Sequence, residues 1–356
     1  MRLYQNYIDE IKGALSGNLN VYADGSRSIK KGLESIDGIY NKDEGITINV
    51  QPNQSLLPLM RAVGKTEIKN QKLGEHPDFA HLKNTNRIEY HYITSVFIDI
   101  KNSTGLFRKY PVTVIKNITN VIQRAAIHTC AILGGYIHRL QGDGVFVYFG
   151  GKDVDKKQAV LNALTATSFF TYFVKNDLKK LFEEEGIEDI HTRIGIDFGD
   201  DQKVLWAVAG IGVCSEITTY SLHTSLASKM QAIANANSIA VGENVKTISQ
   251  LSDNLYDWVK DYNGDIKKRY IFQDPAKSFY YKVLDFNWYS FLKSLPYISQ
   301  DEDGNLFYES ESDRRNKLRQ TASLITSGNA FTNQHGNISE VSDGVKNQNH
   351  RFHYEE

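Results

Sequence analysis

Along the first ninety residues apolar and polar positions mix without a sustained period, and Asp24-Gly25 and Asn41-Lys42-Asp43-Glu44-Gly45 predict turns between short elements. The texture changes at His91. Ser95-Val96-Phe97-Ile98-Asp99-Ile100 is a β-branched and aromatic run that predicts a buried strand ending in a carboxylate. From Val112 to Leu133 apolar residues recur at helical spacing, and Gly134-Gly135 predicts where that helix stops. Two more runs, Tyr136–Leu140 and Val145–Phe149, flank Gly142-Asp143-Gly144 and predict a hairpin. A helix over about 155–184, a strand over Thr192–Asp197, a strand over Val204–Ala209 and a helix over about 222–235 follow. Strand, helix, hairpin, helix, strand is the order of a ferredoxin-like α/β sandwich, here with extra elements after it. Beyond Leu284 the chain turns polar, and 313–356 is rich in Asn, Gln, Ser, Gly and charge, which predicts a weakly ordered tail. The expected organisation is an N-terminal extension over 1–90, a central domain over 91–285 and a polar tail over 286–356.

Composition narrows the classes. The 356 residues hold 41 basic and 42 acidic side chains, a formal net charge of −1, so the global positive field needed for sequence-independent nucleic-acid binding is missing. Cys130 and Cys214 stand far apart, too few for a disulfide framework or a cysteine zinc site, and a reducing cytoplasm is the expected compartment. The uncharged stretch Gln158–Val174 carries Asn162, Thr165, Thr167 and Ser168 and is shorter than the ~20 apolar residues of a membrane span. Met1-Arg2-Leu3-Tyr4-Gln5 runs into charged sequence, so no secretory leader is expected.

The candidate chemistry centres on two carboxylates. Asp99 closes the first strand of the sandwich and Asp143 lies in the hairpin that pairs beside it, so both project from one edge of the sheet. Hard oxygen ligands with no His or Cys cluster suit Mg²⁺ or Mn²⁺. Lys101-Asn102-Ser103-Thr104-Gly105 follows Asp99, and its small hydroxyls and backbone N–H groups could cradle a polyphosphate. The competing reading makes Asp99 a helix cap and Asp143 a mere turn residue.

In their order, Phe97-Ile98-Asp99-Ile100-Lys101-Asn102-Ser103-Thr104, Gly142-Asp143-Gly144 and Arg193-Ile194-Gly195-Ile196 resemble the class III nucleotidyl cyclases over roughly 91–250. The resemblance implies a homodimer with composite sites. Each site would hold two Mn²⁺ or Mg²⁺ ions on Asp99, the Ile100 carbonyl and Asp143, and would cyclise a nucleoside triphosphate with loss of pyrophosphate. The family places Lys or Glu ahead of the Gly-Asp turn to read a purine, and here Arg139 stands there. Where the family offers Asn to the ribose and Arg to the phosphate, this chain has Ser225 and Lys229, four residues apart on one helix face. A second base-reading position falls at Thr218 or Thr219, and the late phosphate-binding lysine at Lys277.

A non-purine reader, with His76-Pro77-Asp78-Phe79 in the extension, resembles the bacterial pyrimidine cyclases of the Pycsar anti-phage systems, whose cyclic UMP or cyclic CMP activates a separate effector. A guanidinium only donates, which favours the O4 of UTP over the amino group of CTP, with cytidylate cyclase as the alternative. A purine cyclase and a catalytically dead regulatory relative are the other readings. His138 is expected to be packed or solvent-facing rather than a metal ligand, the aromatic set Phe169-Phe170-Tyr172-Phe173 to be a core helix face, and Lys267-Lys268-Arg269 a solvated turn.

Overall fold

The computed structural model describes residues 3–16, 54–65, 68, 71–187, 190–310, 312–316 and 319. The turns expected at 24–25 and 41–45, and the tail from 320 onward, lie outside these residues. Helices α1 (Gln5–Leu15) and α2 (Leu57–Ala62) precede strands β1 (Glu89–Tyr90) and β2 (Ile93–Lys101). Helix α3 (Val112–Ile132), the hairpin β3 (Gly135–Gln141) and β4 (Gly144–Phe149), and helix α4 (Lys156–Tyr172) come next. A π-helical turn at Phe173–Leu178 joins α4 to α5 (Lys179–Glu184), so the helix expected over 155–184 is one run with a widened turn. Then follow β5 (His191–Gly199), β6 (Leu205–Ile211), β7 (Cys214–Tyr220) and α6 (Leu222–Ile233). The last elements used here are β8 (Ser238–Gly242), α7 (Glu243–Ser249), β9 (Tyr256–Lys260), β10 (Ile266–Lys268), β11 (Tyr270–Asp274), β12 (Phe279–Phe286) and α8 (Trp288–Ser294).

The main sheet has the strand order β10-β9-β12-β8-β5-β2-β4-β3, with β11 beside β12. Its part β5-β2-β4-β3 is antiparallel throughout and is the ferredoxin-like unit expected from the element order. Strand β8 joins β5 in parallel, which requires a crossover, and α6 supplies it. Strand period two then decides what each face meets. Val96, Ile98 and Ile100 of β2 are buried beneath α3 and α4, whose apolar faces include Ile118, Ile122, Ala163 and Phe170. Ser95, Phe97 and Asp99 share the opposite face, part of which α6 covers.

The rest of that opposite face is closed by the small antiparallel sheet β1-β6-β7 and by the 3-10 turn Pro77–Leu82. Here Phe79 stacks on Trp206 at 4.0 Å, inside a cluster with Tyr136, Phe146, Tyr148 and Ile217. The extension thus contributes core. It also seals the free edge of β3: Gln71 bonds both the Gly135 carbonyl and the Ile137 N–H, each at 2.8 Å, and the Gly74 N–H donates to the His138 carbonyl at 2.9 Å. Beyond 285 the chain continues into α8, whose Trp288, Phe291 and Leu292 are buried. The polar composition there masks a short amphipathic helix. This compact unit closes at Phe307, and a second unit begins at Tyr308, within which Arg314 approaches Glu309. Among the described residues no helix is long and apolar enough to cross a membrane.

Candidate active site

The ladder between β2 and β4 brings the two carboxylates together. Phe97 pairs with Phe146 and Ile98 with Val145, and a Cβ on Gly144 would lie 3.9 Å from the Asp99 Cα, so the end of β2 abuts the turn that carries Asp143. The hairpin turn is two residues long, with positive φ at Gly142 (61°) and not at Asp143, which suits a type II′ turn. Gly144 makes the close approach possible. A Cβ there would stand 2.9 Å from the Ile98 carbonyl oxygen and 3.1 Å from that of Gln141.

Asp99 does not cap a helix. Its Oδ2 accepts from Arg193 Nη2 at 2.5 Å and from Gln231 Nε2 at 3.1 Å, while Oδ1 takes no hydrogen bond among the described residues. Asp143 engages no side chain among them. Asp99 is thus paired with one guanidinium, while the Asp143 carboxylate in the neighbouring turn has no cationic partner among the described residues. No group of three or more His, Cys, Asp or Glu side chains suited to a metal occurs among the described residues. That donor set fits ions that take one or two carboxylates and complete their shell with carbonyl, water and phosphate oxygens, as Mg²⁺ does. After Asp99, Asn102 takes a left-handed conformation (φ 70°) and Ser103–Arg108 forms a 3-10 turn. Ser103 is half-buried and Thr104 exposed, both one turn from Asp99.

Helix α6 lies directly on β5 at Gly195, where a Cβ would be 2.1 Å from the Ala227 carbonyl oxygen. Its start is pinned by the buried Asp197, which accepts from His223 Nδ1 at 2.9 Å, Tyr281 Oη at 2.7 Å and the Phe198 N–H at 2.9 Å. Burial pushes the Asp197 carboxyl up despite these partners. Leu226, Ala227 and Met230 face the sheet, and Gln231 reaches Asp99. Ser225 and Lys229 are exposed on the other flank, so within one chain neither approaches Asp99. Ser225 Oγ bonds only back to the Ser221 carbonyl, at 3.2 Å, and Lys229 forms no ion pair among the described residues.

Arg139, on β3, is not free. It grips Glu216 of β7 as a fork, Nε to Oε2 at 2.7 Å and Nη2 to Oε1. His138 points inward, fully buried, which decides between the packed and solvent-facing readings in favour of the first, and burial holds its imidazole down to about 3. Thr218 and Thr219 bond Tyr148 Oη at 3.3 and 2.9 Å, and Thr219 continues through Thr224 to Ser95 in a chain of hydroxyls, each link 2.9 Å. Lys277 is elsewhere. Since β12 runs antiparallel to β8, and β8 parallel to β5, Lys277 just ahead of β12 sits at the opposite end of the sheet from Asp99. It is 81% exposed, 3.6 Å from Asp274. Lys267, read as a solvated turn, donates to the Ile233 carbonyl at 2.8 Å at the end of α6. Sequence reasoning gave no role to Gln231, Glu216 or the Asp197–His223 pair. The one local signal was a carboxylate in an otherwise uncharged strand, Glu216.

A ferredoxin-like sheet with Asp99 at the end of one central strand, Asp143 in the turn next to it and a helix bound to Asp99 is the arrangement expected of a nucleotidyl cyclase. Residues 86–274 match the model of the adenylate and guanylate cyclase catalytic domain, and the chain belongs to that family. It is 40% identical over 265 residues to a cytidylate cyclase of Staphylococcus aureus, covering 71% of this chain and 62% of that one. A cytidylate cyclase of Escherichia coli is 31% identical over 260 residues, covering 69% and 56%. The chain thus spans about three fifths of the length of these curated relatives. Among solved structures, the adenylyl cyclase CyaB from P. aeruginosa aligns with a TM-score of 0.46 and 18% identity, over 56% of this chain and 95% of that one.

Proposed function

We propose that this chain is a pyrimidine nucleotide cyclase that converts CTP to 3′,5′-cyclic CMP and pyrophosphate. The observation that supports the reading is the register that brings the end of β2 up to the turn carrying Asp143, in a chain 40% identical to a relative named cytidylate cyclase. The donor-only argument at Arg139 favoured UTP. It loses its force because Arg139 is joined to an acceptor, Glu216, and the names of the relatives favour CTP.

Asp99 Oδ1, the Ile100 carbonyl and Asp143 would hold two Mg²⁺ or Mn²⁺ ions. When bound, such ions neutralise the triphosphate and acidify the ribose 3′-hydroxyl. Arg193 and Gln231 fix Asp99 by occupying Oδ2, which leaves Oδ1 available to an ion. Ser103, Thr104 and the turn around them would receive phosphate oxygens. Ser225 and Lys229 face away from Asp99 of their own chain, which supports a homodimer in which each helix α6 serves the partner's carboxylates, Ser225 at the ribose and Lys229 at the phosphates. Lys277 could reach a triphosphate only across such an interface. On this reading the reaction relies on positioning and charge neutralisation more than on a protein base. The product is a second messenger for a separate effector in anti-phage defence, made in the cytoplasm.

The test is incubation of the purified chain with each of the four ribonucleoside triphosphates and Mn²⁺, followed by mass identification of products. Cyclic CMP from CTP is expected. A cyclic purine as the main product, or no cyclic nucleotide from a folded dimer, refutes the reading.

A further inference from the structure

The fork between Arg139 and Glu216 is a built feature. Glu216 is 17% exposed at its side chain and Arg139 47%, so the carboxylate is the deeper of the two. Segment 72–75 braces it from one side: Gly74 donates to the His138 carbonyl at 2.9 Å, its own carbonyl accepts from the Ile217 N–H at 2.8 Å, and a Cβ on Gly74 would lie 3.0 Å from the Glu216 Cβ. Gly74 is at φ 70°, which also calls for glycine. Behind the carboxylate stands His138, fully buried, with Nε2 3.6 Å from Glu216 Oε1 and no hydrogen bond at either ring nitrogen. Burial holds the His138 imidazole down to about 3. The fork uses two of five guanidinium N–H groups and two of about four carboxylate acceptor sites, so the pair can still donate and accept side by side.

We propose that Glu216 is the specificity-determining acceptor for the base, reading the amino group of cytosine while Arg139 donates to its ring nitrogen and carbonyl. This rests on the pyrimidine cyclase reading above. In a pyrimidine ring C4 lies across from the N1 that carries the ribose, so the group on C4 is the part that enters a pocket deepest. The deepest polar group of this pair is Glu216. Cytosine offers an amino donor there, and then N3 and O2 as two acceptors towards the more exposed Arg139. Uracil inverts the first two: its O4 would face the carboxylate and its N3–H would face guanidinium donors. Each mismatch leaves a desolvated polar group unpaired, and one such group is worth about tenfold to a hundredfold in preference.

The test compares wild type, Glu216→Gln and Glu216→Ala in two assays with Mn²⁺: competing turnover of CTP and UTP at equal concentration, and equilibrium binding of CTP and of UTP, which needs no turnover. Thermal midpoints confirm that the variants fold. The CTP-to-UTP ratio is expected to fall about tenfold or more in both variants. It should fall further in Glu216→Gln, whose amide can offer an N–H to O4. A ratio within twofold of wild type in both variants overturns the assignment. If wild type binds CTP over UTP and loses that preference in the variants yet makes no cyclic product, Glu216 stands and the cyclase reading falls. If wild type makes cyclic CMP and the variants keep its preference, the reverse holds.

Discussion

Gly144→Ala should separate the geometry of the site from its chemistry. The added Cβ would meet the Ile98 carbonyl oxygen at 2.9 Å and the Gln141 carbonyl oxygen at 3.1 Å, with the Asp99 Cα at 3.9 Å. The two close neighbours are backbone, held in the β2–β4 ladder and at the end of the hairpin, and they cannot swing aside as a long side chain would. The strand must part by a few tenths of an ångström at the step where the turn carrying Asp143 meets the end of β2. Overpacking of this kind costs about 1–3 kcal/mol. At roughly 2–4 °C per kcal/mol, that lowers the thermal midpoint by about 2–12 °C. The functional loss should be larger than the stability loss suggests, because a displacement approaching 1 Å at a positioning group costs up to about a hundredfold in rate. The assay is kcat/KM for cyclic CMP formation with saturating Mn²⁺, set beside Asp143→Asn, which keeps the shape of the turn and removes the charge. Asp143→Asn should lose product with little change in midpoint, and Gly144→Ala should lose both. A Gly144→Ala protein with wild-type kcat/KM refutes the claim that the backbone contact at Ile98 sets the spacing of the carboxylates.

Asp99→Ala should abolish turnover and leave a folded protein, because Asp99 lies at the sheet's rim and its removal opens no core cavity; full activity would make the carboxylate pair irrelevant to the reaction. Mixing inactive Asp99→Ala with inactive Lys229→Ala should restore part of the activity through the one intact site of the heterodimer, and silence after verified subunit exchange would exclude sites shared between chains. Burial pushes the Asp285 carboxyl from its usual 3.8 up to about 6, with the Asp257 charge adding to the rise and a bond to Ser238 opposing it. Its folded form thus favours the proton. The stability it contributes is full below about pH 4 and is lost as pH rises through about 6. Asp285→Asn should therefore melt above wild type at pH 7–8 and converge with it near pH 4, and a gap independent of pH would contradict this.

What could be read from the chain was whatever local periodicity carries. The strand at Ser95–Ile100, the helix from Val112 and the hairpin around Gly142-Asp143-Gly144 each declare themselves within a few turns of sequence, and the order of such pieces constrains the pairing of β2 with β4. That sufficed to set Asp99 near Asp143. It could not reveal that Arg139 is held by Glu216, 77 positions away, because the contact depends on a second sheet folding over the first, with Gly74 between them. Lys277 looked suitable by residue type and by its place ahead of an apolar run, but one strand direction, β12 against β8, carries it to the far end. The structural part played by the extension was not legible, because it is a set of single contacts, Phe79 on Trp206 and Gln71 on β3, with no repeating pattern.

The seal on β3 bears on how such a catalytic unit can move between proteins. The family match begins at 86, yet the groups that close the sheet's last strand, Gln71 and Gly74, lie ahead of it. A graft that began at 86 would carry an unpaired row of N–H and C=O groups along β3, the kind of edge that recruits a neighbouring chain. The unit that must be inherited together is accordingly longer than the unit of resemblance at both ends, since β12, which pairs with β8 and β9 inside the sheet, lies beyond 274.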